Sequence, residues 1–226
     1  MTTTLHNLRR EPQAIAARLE IMQTLAAKYK FAQWLARVMH VRGSLLVEQG
    51  QGEEGIALMH QGLTAWQATG AVIGRTHQLT NLAKAYGSVG QTEPGRHIVS
   101  EALALMDQTG ERFCAAELYR LKGELLLQQE ATTETTRQTW QAAEACFHTA
   151  LAVARQQQAR GWELRAAMSL SRLWQQQGKC VDAYDLLAPI YGWFTEGFDT
   201  ADLQDAKVLL EDLRTYNSRS QNPGVL

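Results

Sequence analysis

Between Phe31 and Gly70 the apolar residues fall into two stripes of helical period. The first is Trp34, Leu35, Val38, Leu45 and Leu46; the second is Ile56, Met59, Leu63 and Trp66. Recurrence at three- and four-residue steps puts each set on one helix face. Gly50 and Gly52 stand between the stripes, where the period stops, and mark the break between two helices. The stretch predicts a helical hairpin whose two apolar faces meet.

The pattern recurs about forty residues further on. Gly43, Leu46, Gly50, Gly55, Gly62 and Gly70 fall on Ala83, Tyr86, Gly90, Gly95, Ala102 and Gly110. The next step brings Gly123 and Leu126 onto Ala83 and Tyr86, after which an eight-residue insertion interrupts the register. It resumes with Ala143, Phe147 and Ala150, and a further step adds Ser171, Trp174, Ala183 and Leu187. Small residues therefore recur where helices would cross, and large apolar ones where they would fill the gap. Only small side chains let facing helices reach the near end of the roughly 8–10 Å range of axial separations. One hairpin cannot bury its apolar face alone, so about three or more must stack. The register predicts four hairpins and half of another.

In chain order, residues 1–30 read as an incomplete first repeat. Its second helix runs from Gln13 to Tyr29 behind Pro12, with Ile15, Leu19, Met22, Leu25 and Ala26 on its apolar face. Either Met1–Arg9 caps this open end or a preceding domain is absent, and the reading favours the second. Residues 31–194 hold the four hairpins: 31–69; 71–109, with Pro94 in a first turn; a third from Glu111 whose second helix is expected over 138–158; and a fourth of Trp162–Gln177 and Val181–Phe194 divided at Gly178. The insertion reads as a polar, Thr-rich loop. Residues 195–215 form a capping helix opened by Asp199 or Thr200, with Leu203, Ala206, Leu209, Leu210 and Leu213 turned to the stack. Residues 216–226 lack periodicity and are expected to be a flexible tail. No window alternates with period two, so no sheet is expected.

A net charge of -1 and a pI of about 6.6 give no bulk attraction to nucleic acid or to an anionic membrane. No apolar run reaches the roughly 18 residues of a transmembrane helix, and the N-terminal residues lack the apolar core of a secretory signal. Three cysteines, Cys114, Cys146 and Cys180, form neither a disulfide framework nor a metal-ligand spacing, which suits a reducing cytoplasm.

Helical hairpins with small residues at these offsets resemble the tetratricopeptide repeat family. The matching sets are Gly43, Leu46, Gly55, Met59, Gly62; Ala83, Tyr86, Gly95, Val99, Ala102; Gly123, Leu126, Ala143, Phe147, Ala150; and Ser171, Trp174, Ala183, Leu187. The resemblance covers residues 11–194. It implies an all-α fold, a right-handed superhelical array of antiparallel helical hairpins with a period of about forty residues in place of the family's 34. In such arrays the first helix of each hairpin, helix A, lines a concave groove. Carried over, the groove residues are Arg37, His40, Ser44 and Glu48; His77, Thr80 and Lys84; Glu117, Arg120, Glu124 and Gln128; and Arg165, Met168, Arg172 and Gln176, with Val47, Ser88, Leu127 and Gln175 beside them. Arg37, Lys84, Arg120, Arg165 and Arg172 would make a basic ladder interrupted by Glu117 and Glu124. Such a wall suits a peptide bearing carboxylates, which Arg binds in bidentate fashion. The competing reading is a solvated face with its own Glu117–Arg120 and Glu124–Arg120 pairs.

The segments GERFCAAELYRLKGELLLQQ, AEACFHTALAVARQQQARGWELRAAMSLSRLWQQQGK and LLAPIYGWFTEGFDTADLQDAKVLLEDL look like the C-terminal repeat region of large bacterial signalling proteins. In those proteins a class III nucleotidyl cyclase or a DNA-binding domain precedes a signal-transduction ATPase module, and repeats follow. The resemblance implies a cytoplasmic protein-interaction scaffold, with a protein or peptide partner or an upstream cyclase or ATPase domain. The alternative is an effector-sensing domain controlling a cyclase, ATPase or transcription regulator.

No chemistry competes with this reading. His6, His40, His60, His77, His97 and His148 are scattered without metal spacing, and GxxxxGK[ST] is absent, because Gly178-Lys179 is preceded at the needed position by Leu173 and followed by Cys180. No catalytic residue, metal or cofactor is expected. Asp199, Asp202 and Asp205 read as helix-start acids, favourable to the helix dipole. Cys114 and Cys146 read as small core hydrophobes, whereas Cys180, beside Lys179 in a turn, is the one candidate for an exposed thiol. Trp34, Trp66, Trp162 and Trp174 are expected in the core; Trp140, Trp193 and Phe194 are the candidates for an exposed contact.

Overall fold

The computed structural model describes residues 12–128 and 133–220. Among these residues there are ten helices and no strand. They are α1 (Pro12–Lys28), α2 (Ala32–Glu48), α3 (Gly52–Ala68), α4 (Arg75–Ser88), α5 (Thr92–Thr109), α6 (Ala115–Leu127), α7 (Thr133–Gln156), α8 (Arg160–Gln176), α9 (Cys180–Tyr191) and α10 (Ala201–Ser220). The chain divides within α6 into two compact units, residues 1–121 and 122–226. The expectations for residues 1–11 and for the end of the tail, 221–226, lie outside the described residues.

In the first unit α2 packs on α1, α3 and α4, and α4 packs on α3 and α5. In the second, α8 packs on α7, α9 and α10, and α9 also packs on α10. Contact with both the next helix and the next but one is what stacked hairpins produce. Ile15 and Leu19 of α1 bury against Val38, Val41 and Leu45 of α2. Met59, Leu79, Leu82, Met106 and Leu118 are fully buried in the first unit, and Phe147, Leu164, Leu170 and Leu173 in the second. Burying each such side chain contributes about 1.5–3 kcal/mol.

The small-residue positions sit where helices touch. A Cβ on Gly43 would stand 2.5 Å from the Gly55 carbonyl oxygen, and one on Gly62 would stand 2.6 Å from the His40 nitrogen. In the second unit Gly123 makes room for the Phe147 ring, 2.5 Å from where its Cβ would be. The turns repeat as well. The amide of Gln51 donates to the Leu46 carbonyl at 2.9 Å, that of Gln91 to Tyr86 at 3.0 Å and that of Lys179 to Trp174 at 2.8 Å. Each such closure places the preceding residue in the left-handed region, and Gly50, Gly90 and Gly178 have φ of 87°, 75° and 77°.

Four sequence expectations need correction. Counting on from Gly52 and Thr92, which open α3 and α5, and adding the eight-residue insertion, the register puts the start of α7 at Trp140, and one more period lands on Cys180, the observed start of α9. The helix begins instead at Thr133 and has 24 residues against 17 for α3. Thr133–Thr139 therefore lengthen the helix where a loop was expected. Secondly, α10 continues to Ser220 rather than ending near 215. Thirdly, Trp34 is 45% exposed and Leu25 49%. Trp34 lies in the first turn of α2, ahead of the stretch that Ile15 and Leu19 cover. Finally, Cys180 is buried, and burial raises its thiol pKa, so it is not an exposed nucleophile.

Candidate functional site

Helix A of each hairpin carries the residues picked out by the register, and each unit holds its own part of the set. In the first unit, α2 and α4 bring Arg37, His40 and His77 within electrostatic reach of one another. His40 is 1% exposed, and its Nδ1 lies 3.2 Å from the Met59 carbonyl, to which the neutral ring donates. Its Nε2 has no hydrogen-bond partner, and neither end of the buried Gln78 amide has one. Burial pulls His40 down to about 4, and the nearby Arg37 and His60 add to the fall. His77 also falls to about 4, again by burial first and then by Arg37 and His40. Burial lowers the Arg37 guanidinium itself. A charge brought here is thus disfavoured unless an anion accompanies it.

Ser44 is half-buried, and Glu48 and Lys84 are exposed. Thr80 is buried, and its hydroxyl donates to the Thr76 carbonyl at 2.8 Å. Cys114 is pushed up to about 12, chiefly by burial. Glu117, 4% exposed, accepts two bonds from Arg120, each 2.7 Å.

In the second unit Glu124 accepts from the Ser169 hydroxyl at 2.9 Å. Arg165 stacks over Trp162, 5.1 Å from the ring centroid, and donates to Asp202 of α10 at 2.7 Å. Gln128, Arg172 and Gln176 are exposed, and Met168 is buried. Arg172 and Gln176 line an open groove of about 370 Å³ with Asp205, Val208 and Asp212 of α10. Helix α10 therefore brings carboxylates onto the helix-A face of α8.

The burial of His40, Thr80, Glu117 and Met168 removes them from any partner-accessible wall. The basic ladder is also partly neutralised from within, since Arg120 is held by Glu117 and Arg165 by Asp202. Sequence reading placed Asp202 at a helix start for the sake of the dipole and missed its ion pair. Glu163 was missed too. It is 3% exposed and accepts from Arg155 at 2.8 Å and Arg160 at 2.7 Å. Burial alone would raise its carboxyl, but the hydrogen bonds from the two arginines outweigh it and the pKa falls.

Among the described residues no group of three or more His, Cys, Asp or Glu side chains is arranged to hold a metal ion. No described helix is long and apolar enough to cross a membrane. Of the tryptophans, Trp66 is buried as expected. Trp174 is half-buried and donates from its indole to Glu144 at 2.8 Å. Trp193 is 54% exposed, with Arg160 stacked on it 4.9 Å from the ring centroid.

No family model matches the sequence, and no curated protein matches it as a relative. Solved structures do match the fold. BtubC (BKLC) from P. vanneervenii superposes with a TM-score of 0.64 at 14% identity, covering 97% of this chain and 94% of that one. The nearly identical TPR-like repeats of a Podosopora anserina kinesin light chain candidate superpose with a TM-score of 0.54 at 18% identity, covering 82% of this chain and 96% of that one. At these identities the likeness establishes the fold alone: the chain is an all-α, tetratricopeptide-like array of helical hairpins.

Proposed function

We propose that this chain is a non-catalytic protein-interaction scaffold of a cytoplasmic bacterial signalling assembly. Its helix-A face receives a carboxylate-bearing peptide or domain, and an upstream cyclase or ATPase domain is the partner the sequence resemblance favours. The observation that carries this reading is the approach of Arg37 and His77, both half-buried, from two successive helices A. An incoming carboxylate would complement the Arg37 guanidinium and favour the protonated form of His77. The two described grooves of the second unit are open to solvent, which favours a macromolecular partner over an enclosed small effector.

A random peptide display library selected on the immobilised chain tests this. Selected peptides are expected to be rich in Asp and Glu. The pair Arg37→Glu with Arg172→Glu should weaken them by tenfold or more, on the order of two lost charge-assisted hydrogen bonds. Reversal of Arg96 on helix α5 should leave them unchanged. Selected peptides that carry no excess of acid, or that bind the double variant as tightly, would refute the assignment.

A further inference from the structure

The seven extra residues at the start of α7, Thr133–Thr139, do more than lengthen a helix. Two of them, Thr136 and Arg137, border with the α8–α9 turn an open groove of about 720 Å³. Arg137, Trp140, Gln141 and Glu144 of α7 form one wall, and Gln177 and Lys179 of the turn form the other. Its geometry is fixed from behind. The Trp174 indole donates to Glu144 at 2.8 Å, His148 stands 3.8 Å from the same carboxylate oxygen, and the Lys179 amide closes on the Trp174 carbonyl at 2.8 Å. One carboxylate oxygen of Glu144 is thus occupied, and Trp174 is held in place.

Two cations face this space. Among the described residues neither Arg137 nor Lys179 has an ion-pair partner, and both are exposed. Trp140, half-buried, lines the same groove and offers an apolar plate. A volume within the roughly 300–1,000 Å³ of ligand sites, but open along its length, suits an extended segment better than an enclosed small molecule. Two separated cations beside an indole match two carboxylates with an apolar side chain between them. The net charge of -1 gives no general pull on polyanions.

We propose that this groove is a second docking site, separate from the helix-A face, for an acidic peptide segment in which two carboxylates flank an apolar residue. Arg137 belongs to the site because α7 opens at Thr133, ahead of Trp140, where the register displaced by the eight-residue insertion would start it.

The full chain labelled with 5-fluorotryptophan tests the proposal by fluorine NMR. The chain has six tryptophans, and Trp140→Phe identifies the resonance. The probes are the capped peptides Glu-Leu-Glu and Gln-Leu-Gln, inorganic phosphate and a short single-stranded oligonucleotide. The Trp140 signal should shift saturably with the acidic peptide alone. In the variant Arg137→Glu with Lys179→Glu, checked for folding by its circular dichroism melt, the affinity should fall about tenfold or more. The pair Arg37→Glu with Arg172→Glu should leave the shift in place. A Trp140 signal that stays still, that moves equally with the neutral peptide, or that persists unchanged in the Arg137/Lys179 variant overturns the proposal. So does full reproduction by phosphate, which would mean a bare anion site, or tighter binding of the oligonucleotide. Loss of the shift in the Arg37/Arg172 pair alone would move the peptide to the helix-A face, sparing the proposed function and removing this site.

Discussion

Gly43 of α2 and Gly55 of α3 face each other so closely that a Cβ on either would lie 2.5 Å from the carbonyl oxygen of the other. The nearest obstacle is backbone, which cannot swing aside as a side-chain tip can. Gly43→Ala and Gly55→Ala are each expected to lower stability by about 1–3 kcal/mol, the usual penalty of overpacking. Gly161, in the first turn of α8, meets nothing within 4 Å. Gly161→Ala should therefore stabilise, by about 0.5–1 kcal/mol. Urea titrations of the three variants check the contrast. An equal response at all three would mean that the crossing does not depend on small residues.

Two hairpin-connecting turns use a non-glycine residue in the left-handed region. Lys30 has φ of 55° and Gln158 has φ of 54°, beside closures from Phe31 to Ala26 and from Ala159 to Ala154, each 2.9 Å. An L side chain pays roughly 1 kcal/mol there that glycine does not. Lys30→Gly and Gln158→Gly should each raise the melting temperature by a few degrees. A fall at either site would show that its side chain contributes more than the strain costs.

Acid should loosen the first unit through its histidines. His40 and His77 fall to about 4, below the ordinary value of 6.5, because burial and neighbouring cations disfavour their charged forms. The unfolded chain then binds more protons between those values, so stability is fully present above about pH 6.5 and is lost as pH falls toward 4. Each histidine is expected to cost on the order of 2 kcal/mol between pH 7 and pH 5. The groups facing His40 are Arg37, His60 and His77, and none supplies a compensating negative charge. His40→Gln should flatten the slope by about half. An unchanged slope in that variant would place the titration elsewhere.

The pairing of Arg165 with Asp202 links α8 to the last helix. Side-chain exposures of 14% and 18% make it a partly shielded pair. A double-mutant cycle with Arg165→Met and Asp202→Asn should give a coupling of about 1–2 kcal/mol. On the proposed reading Asp202→Asn also frees a groove cation, so acidic display peptides should bind that variant several-fold more tightly. Weaker binding would mean that the aspartate supports the groove rather than competing for it.

Much of the fold was legible because the repeat carries its own punctuation. Gly50, Gly90 and Gly178 mark the turns between helices A and B, and the starts of α3, α5 and α9 fall on one register. What misled was residue type without context. The Thr-rich stretch before Trp140 has low helix propensity and no apolar stripe, yet it extends a helix already held by Ala143, Phe147 and Ala150. Trp34 continues the apolar stripe of α2 but lies past the cover that α1 provides. The helix-A register named Arg165 without its neutralising carboxylate. Asp202 lies 37 positions further along the chain, and only the packing of α10 brings it there. Arg137 and Lys179 carried no signal of their own, because the groove they line arises from the helix extension.

Hydrogen–deuterium exchange on the chain with and without a display-selected acidic peptide tests the central claim most directly. The account predicts added protection in the helices A, α2, α4 and α8, with α3, α5 and α9 unchanged. Protection confined to the helices B, or none in α2 and α4, would contradict it.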